Sequence, residues 1–130
     1  MKPKNELSYI FSLIREQKYW FSAPSRSVNR VIEVYASSGK PMTTDEAMEF
    51  IIEGVLTLKN ENYCKTTRQW EITVDIYGLI FDERHWYVKI GVSNEESEDG
   101  TIEPWLQEIS FHPPERSFTT QDGIEIAAGG

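Results

Sequence analysis

The chain has 130 residues, one cysteine and a formal net charge of −8. This length fits a single domain with its own core and leaves no room for two large ones. A lone cysteine rules out an internal disulfide, no apolar run nears the ~20 residues that span a bilayer, and the aromatic content argues against disorder; the expectation is a cytoplasmic, single-domain protein with no membrane partner.

Residues 7–18 place Leu7, Ile10, Phe11 and Ile14 at helical spacing, with Asn5 as a candidate cap. Residues 26–37 repeat the pattern through Val28, Val31, Ile32 and Tyr35, with Ser25 as cap and Gly39 as terminator. Thr43 and Glu46 have capping-box spacing, which predicts a third helix over about 44–57. The period then becomes two. In WEITVDIY, Trp70, Ile72, Val74 and Ile76 alternate with Glu71, Thr73, Asp75 and Tyr77. In HWYVKIGV, Trp86, Val88, Ile90 and Val92 oppose Tyr87 and Lys89, and the short GLIFDER link predicts a hairpin. EESEDGTIEP reads as a solvated loop. WLQEISFHP gives another strand, with Ile109 and Phe111 on one face and Glu108, Ser110 and His112 on the other, stopped by Pro113 and Pro114. The residues 117–130 form a tail with a short edge strand and a fraying end. Helices over 5–57 followed by a sheet over 64–116 predict an α+β fold, with N-terminal helices packed on one face of a small antiparallel sheet.

If the apolar strand face packs on the helices, the polar face gathers Glu71, Asp75, Tyr77, Tyr87, Lys89, Glu108, Ser110 and His112. Lys65 and Arg68 lie just before the first predicted strand. Such a face is either a reactive cleft or an ordinary wet sheet surface with cross-strand ion pairs. His112, at a strand end before two prolines, suits general acid–base work, whereas His85 reads as an exposed turn residue. Cys64 has no nearby histidine in sequence. No metal-ligand spacing and no cofactor fingerprint occurs, so neither a metal nor a cofactor is expected. Charge is uneven: six bases against two acids in 1–30, five against ten in 31–84, and two against nine in 85–130. The total weighs against steering a polyanion from a distance.

The blocks NYCKT, WEITVDIYG, WYVKIGV and ISFHPPE, after a helix ending FIIEGVLTL, resemble the RelE/barnase-like ribonuclease toxins. Within these, the likeness is to the motility quorum-sensing regulator group of toxin–antitoxin messenger-RNA interferases, over about residues 44–116. The resemblance implies a RelE-like fold and metal-independent endoribonuclease activity by 2′-hydroxyl attack. An RNA substrate and a cognate antitoxin are the implied partners. Carried over by position, Lys65 holds phosphate charge and Tyr87 donates or relays a proton. Asp75 and Tyr77 match the D-x-Y block, with Asp75 orienting a cation. His112 joins the catalytic set, and Arg68, Lys89 and Arg116 the substrate-binding set, through the strand reading. The chain departs from that pattern in its acidity, in the acids on the candidate face, and in a longer loop between the last two strands. Those departures suit an alternative, an acidic immunity or antitoxin-like protein that masks a basic nuclease toxin through the loop 95–103 and Trp105.

Overall fold

A computed structural model describes residues 2–21, 25–69 and 71–129, together with all their side chains except that of Glu108. Three helices come first: α1 (Leu7–Arg15), α2 (Arg26–Ser37) and α3 (Thr44–Leu56). A 3₁₀ turn (Asn60–Asn62) leads into β1 (Tyr63–Gln69), β2 (Ile72–Phe81), β3 (Arg84–Glu96) and β4 (Ile102–His112). These four strands form one antiparallel sheet in chain order, and β5 (Phe118–Thr119) pairs with β6 (Glu125–Ile126) in a separate ribbon. The α+β architecture with N-terminal helices on one sheet face is therefore present.

Two helix starts follow the capping chemistry. Ser25 accepts from the Val28 amide at 3.2 Å, and Thr43 and Glu46 form a reciprocal capping box. The first helix differs from expectation at both ends. Glu6, not Asn5, is its N-cap, and makes no side-chain cap bond. It stops at Arg15 because Gln17 turns left-handed (φ 58°), so that Gln17 N–H donates to Ile14 O and Lys18 N–H to Leu13 O. Gly39 closes α2 in the same way.

The β2–β3 link is a two-residue turn, Asp82-Glu83, with both residues at positive φ, as a hairpin of this hand requires. Helix α2 braces it. The Tyr35 hydroxyl donates to Asp82, while Arg84 lies over the Tyr35 ring and donates to Ser38 Oγ at 2.6 Å. The expected acidic loop is shorter than its sequence suggests. β3 and β4 continue as a ribbon past the last β2 pair, Val74–Gly91, and only residues 97–101 turn. Hydrogen bonds from Ser97 and Thr101 hold the Asp99 carboxyl down to about 2 and shape that tip.

Strands β3 and β4 face as their alternation predicts, with Trp86, Val88, Ile90 and Phe111 buried against the helices. Strand β2 is the reverse of the expectation. Tyr77 and Leu79 join the helix-side core, and Asp75 shares their face, while Val74, Ile76 and Gly78 look outward. Asp75 is 2% exposed because it is fully employed there. It accepts from the amides of Lys4 (2.8 Å) and Asn5 (3.1 Å) and from Thr66 Oγ1 (2.5 Å), pinning the segment before α1 to the sheet. Thr66 spends its only proton on Asp75, so the Tyr63 hydroxyl donates to Thr66. Asp75 orients backbone and not a cation. Trp70, expected on the core face of the strand, lies outside the described residues.

β1 was not expected as a strand, because YCKTTRQ carries little apolar alternation; it is an edge strand held by its ladder to β2. Aromatic packing fills the core around Phe50, whose ring meets Tyr35, Phe81, Trp86 and Phe111 at 5.1–5.9 Å. Gly54 makes room for this layer, since a Cβ there would stand 2.8 Å from the Phe111 ring. The free edge of β4 is covered too. Leu106 N–H donates to Lys18 O, and Phe111 N–H to Ser27 Oγ, both at 2.9 Å.

The tail is tied down where fraying was expected. Ala127 N–H donates to His85 Nδ1, Ala128 N–H to Ser117 Oγ and Gly129 N–H to Pro114 O. His85 is correspondingly a half-buried strand residue that anchors the tail and not a turn residue.

Candidate active site

The sheet register sets the site. Lys65, Ile76, Lys89 and Ser110 form one line across the four strands, and Gly78, Tyr87 and His112 form the next. Both lines point away from the helices, because alternate residues of a strand share a face. The register shift between Tyr63 and Lys65 is a bulge that brings Cys64 and Lys65 together toward this face. Two walls rise beside it. Helix α2 contributes Arg26, Ser27 and Arg30, and the start of the tail contributes Glu115, Arg116, Ser117 and Phe118. The result is a hollow of about 630 Å³, in the range of small-ligand sites.

The hollow is cationic on an acidic protein. Its described lining carries Arg26, Arg30, Lys65, Lys89 and Arg116 against the single acid Glu115. Cations gathered in so small a space lie within or near one Debye length (~8 Å) of each other, so their fields sum locally whatever the charge of the whole. Lys89 donates to Gln69 Oε1 at 2.5 Å, which steers its ammonium along the sheet surface.

The imidazole and the phenol are held together. The Tyr87 and His112 rings stack with centroids 4.9 Å apart and 19° between planes. His112 Nδ1 lies 2.8 Å from the Pro113 carbonyl oxygen. A carbonyl only accepts, so Nδ1 carries a proton, which leaves Nε2 as the ring nitrogen able to take one up. Burial pushes the Tyr87 phenol above its ordinary range, with Cys64 and Glu115 adding to the effect, so it is a neutral donor at neutral pH. Burial also raises the Cys64 thiol, against a smaller opposing pull from Lys65, which disfavours a thiolate nucleophile.

Five of the six residues singled out from sequence therefore meet: Lys65, Tyr87 and His112, with Lys89 and Arg116. Arg68 does not. It lies three residues beyond Lys65 on the same strand, opposite Thr73, so the pleat turns it to the helix-side face. Asp75 and Tyr77 are absent from the hollow for the same reason, and Glu71 lies exposed before β2. Glu108 pairs with Gly91 along the β3–β4 ladder, and its side chain lies outside the description. Arg26 and Arg30 were missed, although their i, i+4 spacing on α2 puts both on one helix face. Glu115, Ser117 and Phe118 gave no local signal, because only the path of the tail brings them to the sheet.

Among the described residues no group of three or more His, Cys, Asp or Glu side chains is placed to hold a metal ion. No described helix is long and apolar enough to cross a membrane. No protein-family model, no curated protein and no solved structure matches this chain.

Proposed function

We propose that this protein is a metal-independent endoribonuclease, acting as the toxin of a toxin–antitoxin or related system. The observation that carries the reading is the meeting of His112, Tyr87 and Lys65 with Lys89, Arg116, Arg26 and Arg30 in one cationic hollow on a chain of net charge −8. Cations aimed into a partly enclosed site are what a phosphodiester transition state needs, since charge grows on its equatorial oxygens. The sequence blocks resembling RelE-like toxins point the same way.

In this mechanism the ribose 2′-hydroxyl gives its proton to Nε2 of His112, and its oxygen attacks the adjacent phosphorus. Lys65 and the arginines stabilise the phosphorane. The bond from phosphorus to O5′ breaks, and O5′ takes the Tyr87 phenolic proton. The products are a 2′,3′-cyclic phosphate and a 5′-hydroxyl, and solvent exchange resets both side chains. The test is cleavage of RNA by the purified protein in EDTA. Loss of cleavage in Lys65→Ala, Tyr87→Phe and His112→Ala, with unchanged melting temperatures, supports the reading. Failure of the folded wild type to cut any RNA would sink it.

A second reading, an acidic neutraliser of a basic nuclease, is favoured by one observation. The β3–β4 ribbon projects past β2 carrying Glu95, Glu96, Glu98, Asp99 and Glu103, with Ile102 66% exposed. That reading requires salt-sensitive capture of a basic partner that is lost on neutralising the ribbon and retained when the hollow is altered.

A further inference from the structure

The β5–β6 ribbon rests directly on the backbone of the main sheet. Gly78 provides the seat: a Cβ there would stand 2.4 Å from Ile126 Cγ1 and 2.9 Å from Phe118 Cε2. Phe118 and Ile126 are cross-strand partners, and Ile126 is 1% exposed. A ribbon of two residues per strand has no stability of its own. It is held by what it touches: Gln121 N–H on Tyr63 O at 3.0 Å, Ala127 N–H on His85 Nδ1 at 2.9 Å, and Ile126 over Gly78.

From this seat the ribbon reaches the hollow. The Phe118 ring meets the Tyr87 ring edge-on, with centroids 6.2 Å apart at 77°. Tyr87 is stacked on His112 on the same face of the sheet. The tail leading into β5 also carries Arg116 and Ser117 to the wall. The contacts run without a break from Gly78 through Ile126 and Phe118 to Tyr87 and His112.

We infer that the tail is a working wall of the site, and that Phe118 is a positioning residue which fixes Tyr87 against His112. This rests on the RNA-cleaving reading for its consequence in catalysis, though not for its geometry. Without Phe118, Tyr87 is freer to leave the stack and more open to water, and the phenol and Nε2 lose their fixed relation. With the whole ribbon displaced, the hollow loses the Arg116 charge as well.

The experiment uses full-length Phe118→Ala, Phe118→Tyr and Gly78→Val proteins, the last chosen to lift the ribbon by sterics alone. The tyrosinate absorbance titration, the proton resonance of His112 Cε1–H, and the affinity for a short single-stranded RNA with 2′-deoxy substitution at the cleavage site are compared with wild type. Phe118→Ala is expected to move one tyrosine titration down toward its ordinary range, to shift the His112 resonance as the stack loosens, and to weaken RNA binding about tenfold. Phe118→Tyr restores the His112 resonance and the RNA affinity, its own phenol adding a separate step to the titration, and Gly78→Val repeats the losses. A folded Phe118→Ala protein whose tyrosine titration and His112 resonance match wild type overturns the inference, whatever Gly78→Val does. If wild type binds no RNA, the functional reading fails while the two spectroscopic signals still decide the role of the tail.

Discussion

On its inner face the sheet presents Tyr77, Leu79, Trp86, Val88 and Phe111 to three helices. On its outer face the same strands present Lys65, Tyr87, Lys89 and His112 to a hollow. The inner face is continuous, apolar and closed by aromatic contacts. The outer face brings charged and polar groups together beside Ile76 in the hollow, and takes the tail ribbon over Gly78. Residues one step apart on a strand thus answer to different demands. A change on the inner face should register as stability, and a change on the outer face as chemistry.

The sharpest way to separate the two is His112→Ala. On the proposed ribonuclease reading, losing His112 as general base should cost about 10²–10⁴-fold in cleavage rate, with the melting temperature close to wild type. Asp75→Ala, across the sheet, reverses the pattern. It strands the Lys4 and Asn5 amides and Thr66 Oγ1, and should cost about 3 kcal/mol in urea unfolding, with residual activity tracking the folded fraction. Comparable stability losses for the two variants would erase the distinction between the faces.

A titration of stability above pH 10 addresses the inner face chiefly, with Tyr87 on the outer face contributing in the same direction. Burial raises the phenols of Tyr77 and Tyr35 well above 10, with Asp75 adding to the first and the hydrogen bond to Asp82 to the second. Below pH 10 these tyrosines are neutral in both states and their contribution is complete. Above it the unfolded chain ionises first, so stability falls by up to about 1.4 kcal/mol per pH unit for each. Denaturant midpoints measured from pH 8 to 11.5 should decline steeply only past pH 10.

Lys65→Ala against Arg68→Ala makes a smaller and finer contrast. Three residues apart, they stand on opposite faces, so only the first should weaken RNA binding, by about tenfold at low salt, and lower the salt slope by about one. Equal effects would show that the RNA does not follow the sheet face. The mildest effect belongs to Tyr77→Phe. Among the described residues, Tyr77 Oη is a buried polar atom without a hydrogen-bond partner. Removing it should change stability by less than about 1 kcal/mol, in the stabilising direction, and flatten part of the alkaline decline.

The difference between the faces also explains what could be read from the residues alone. Ser25, Thr43 with Glu46, and Gly39 announce their helix ends because capping is local chemistry. β3 and β4 face correctly because Trp86, Val88 and Ile90 on one, and Ile109 and Phe111 on the other, alternate with residues that carry polar groups. β2 defeats alternation because both of its sides are buried. Val74 and Ile76 are as apolar as any core pair, and the acid on the other side, Asp75, is satisfied by amides 70 and 71 residues away. Nothing within WEITVDIY marks which side the helices take. The hollow was legible in Lys65, Tyr87, Lys89, His112 and Arg116 because strand pairing is regular. Its α2 wall and the placement of Phe118 depend on long-range docking that no short window contains.

Strand β2 is covered on one side by helices and on the other in part by the ribbon, and laddered along both edges by β1 and β3. Its central amides, from Val74 to Leu79, should therefore be the last in the molecule to take up deuterium, exchanging only when the whole chain opens. The rate at which those six protons disappear would serve as a built-in clock for global unfolding, readable in the same sample that reports on the hollow.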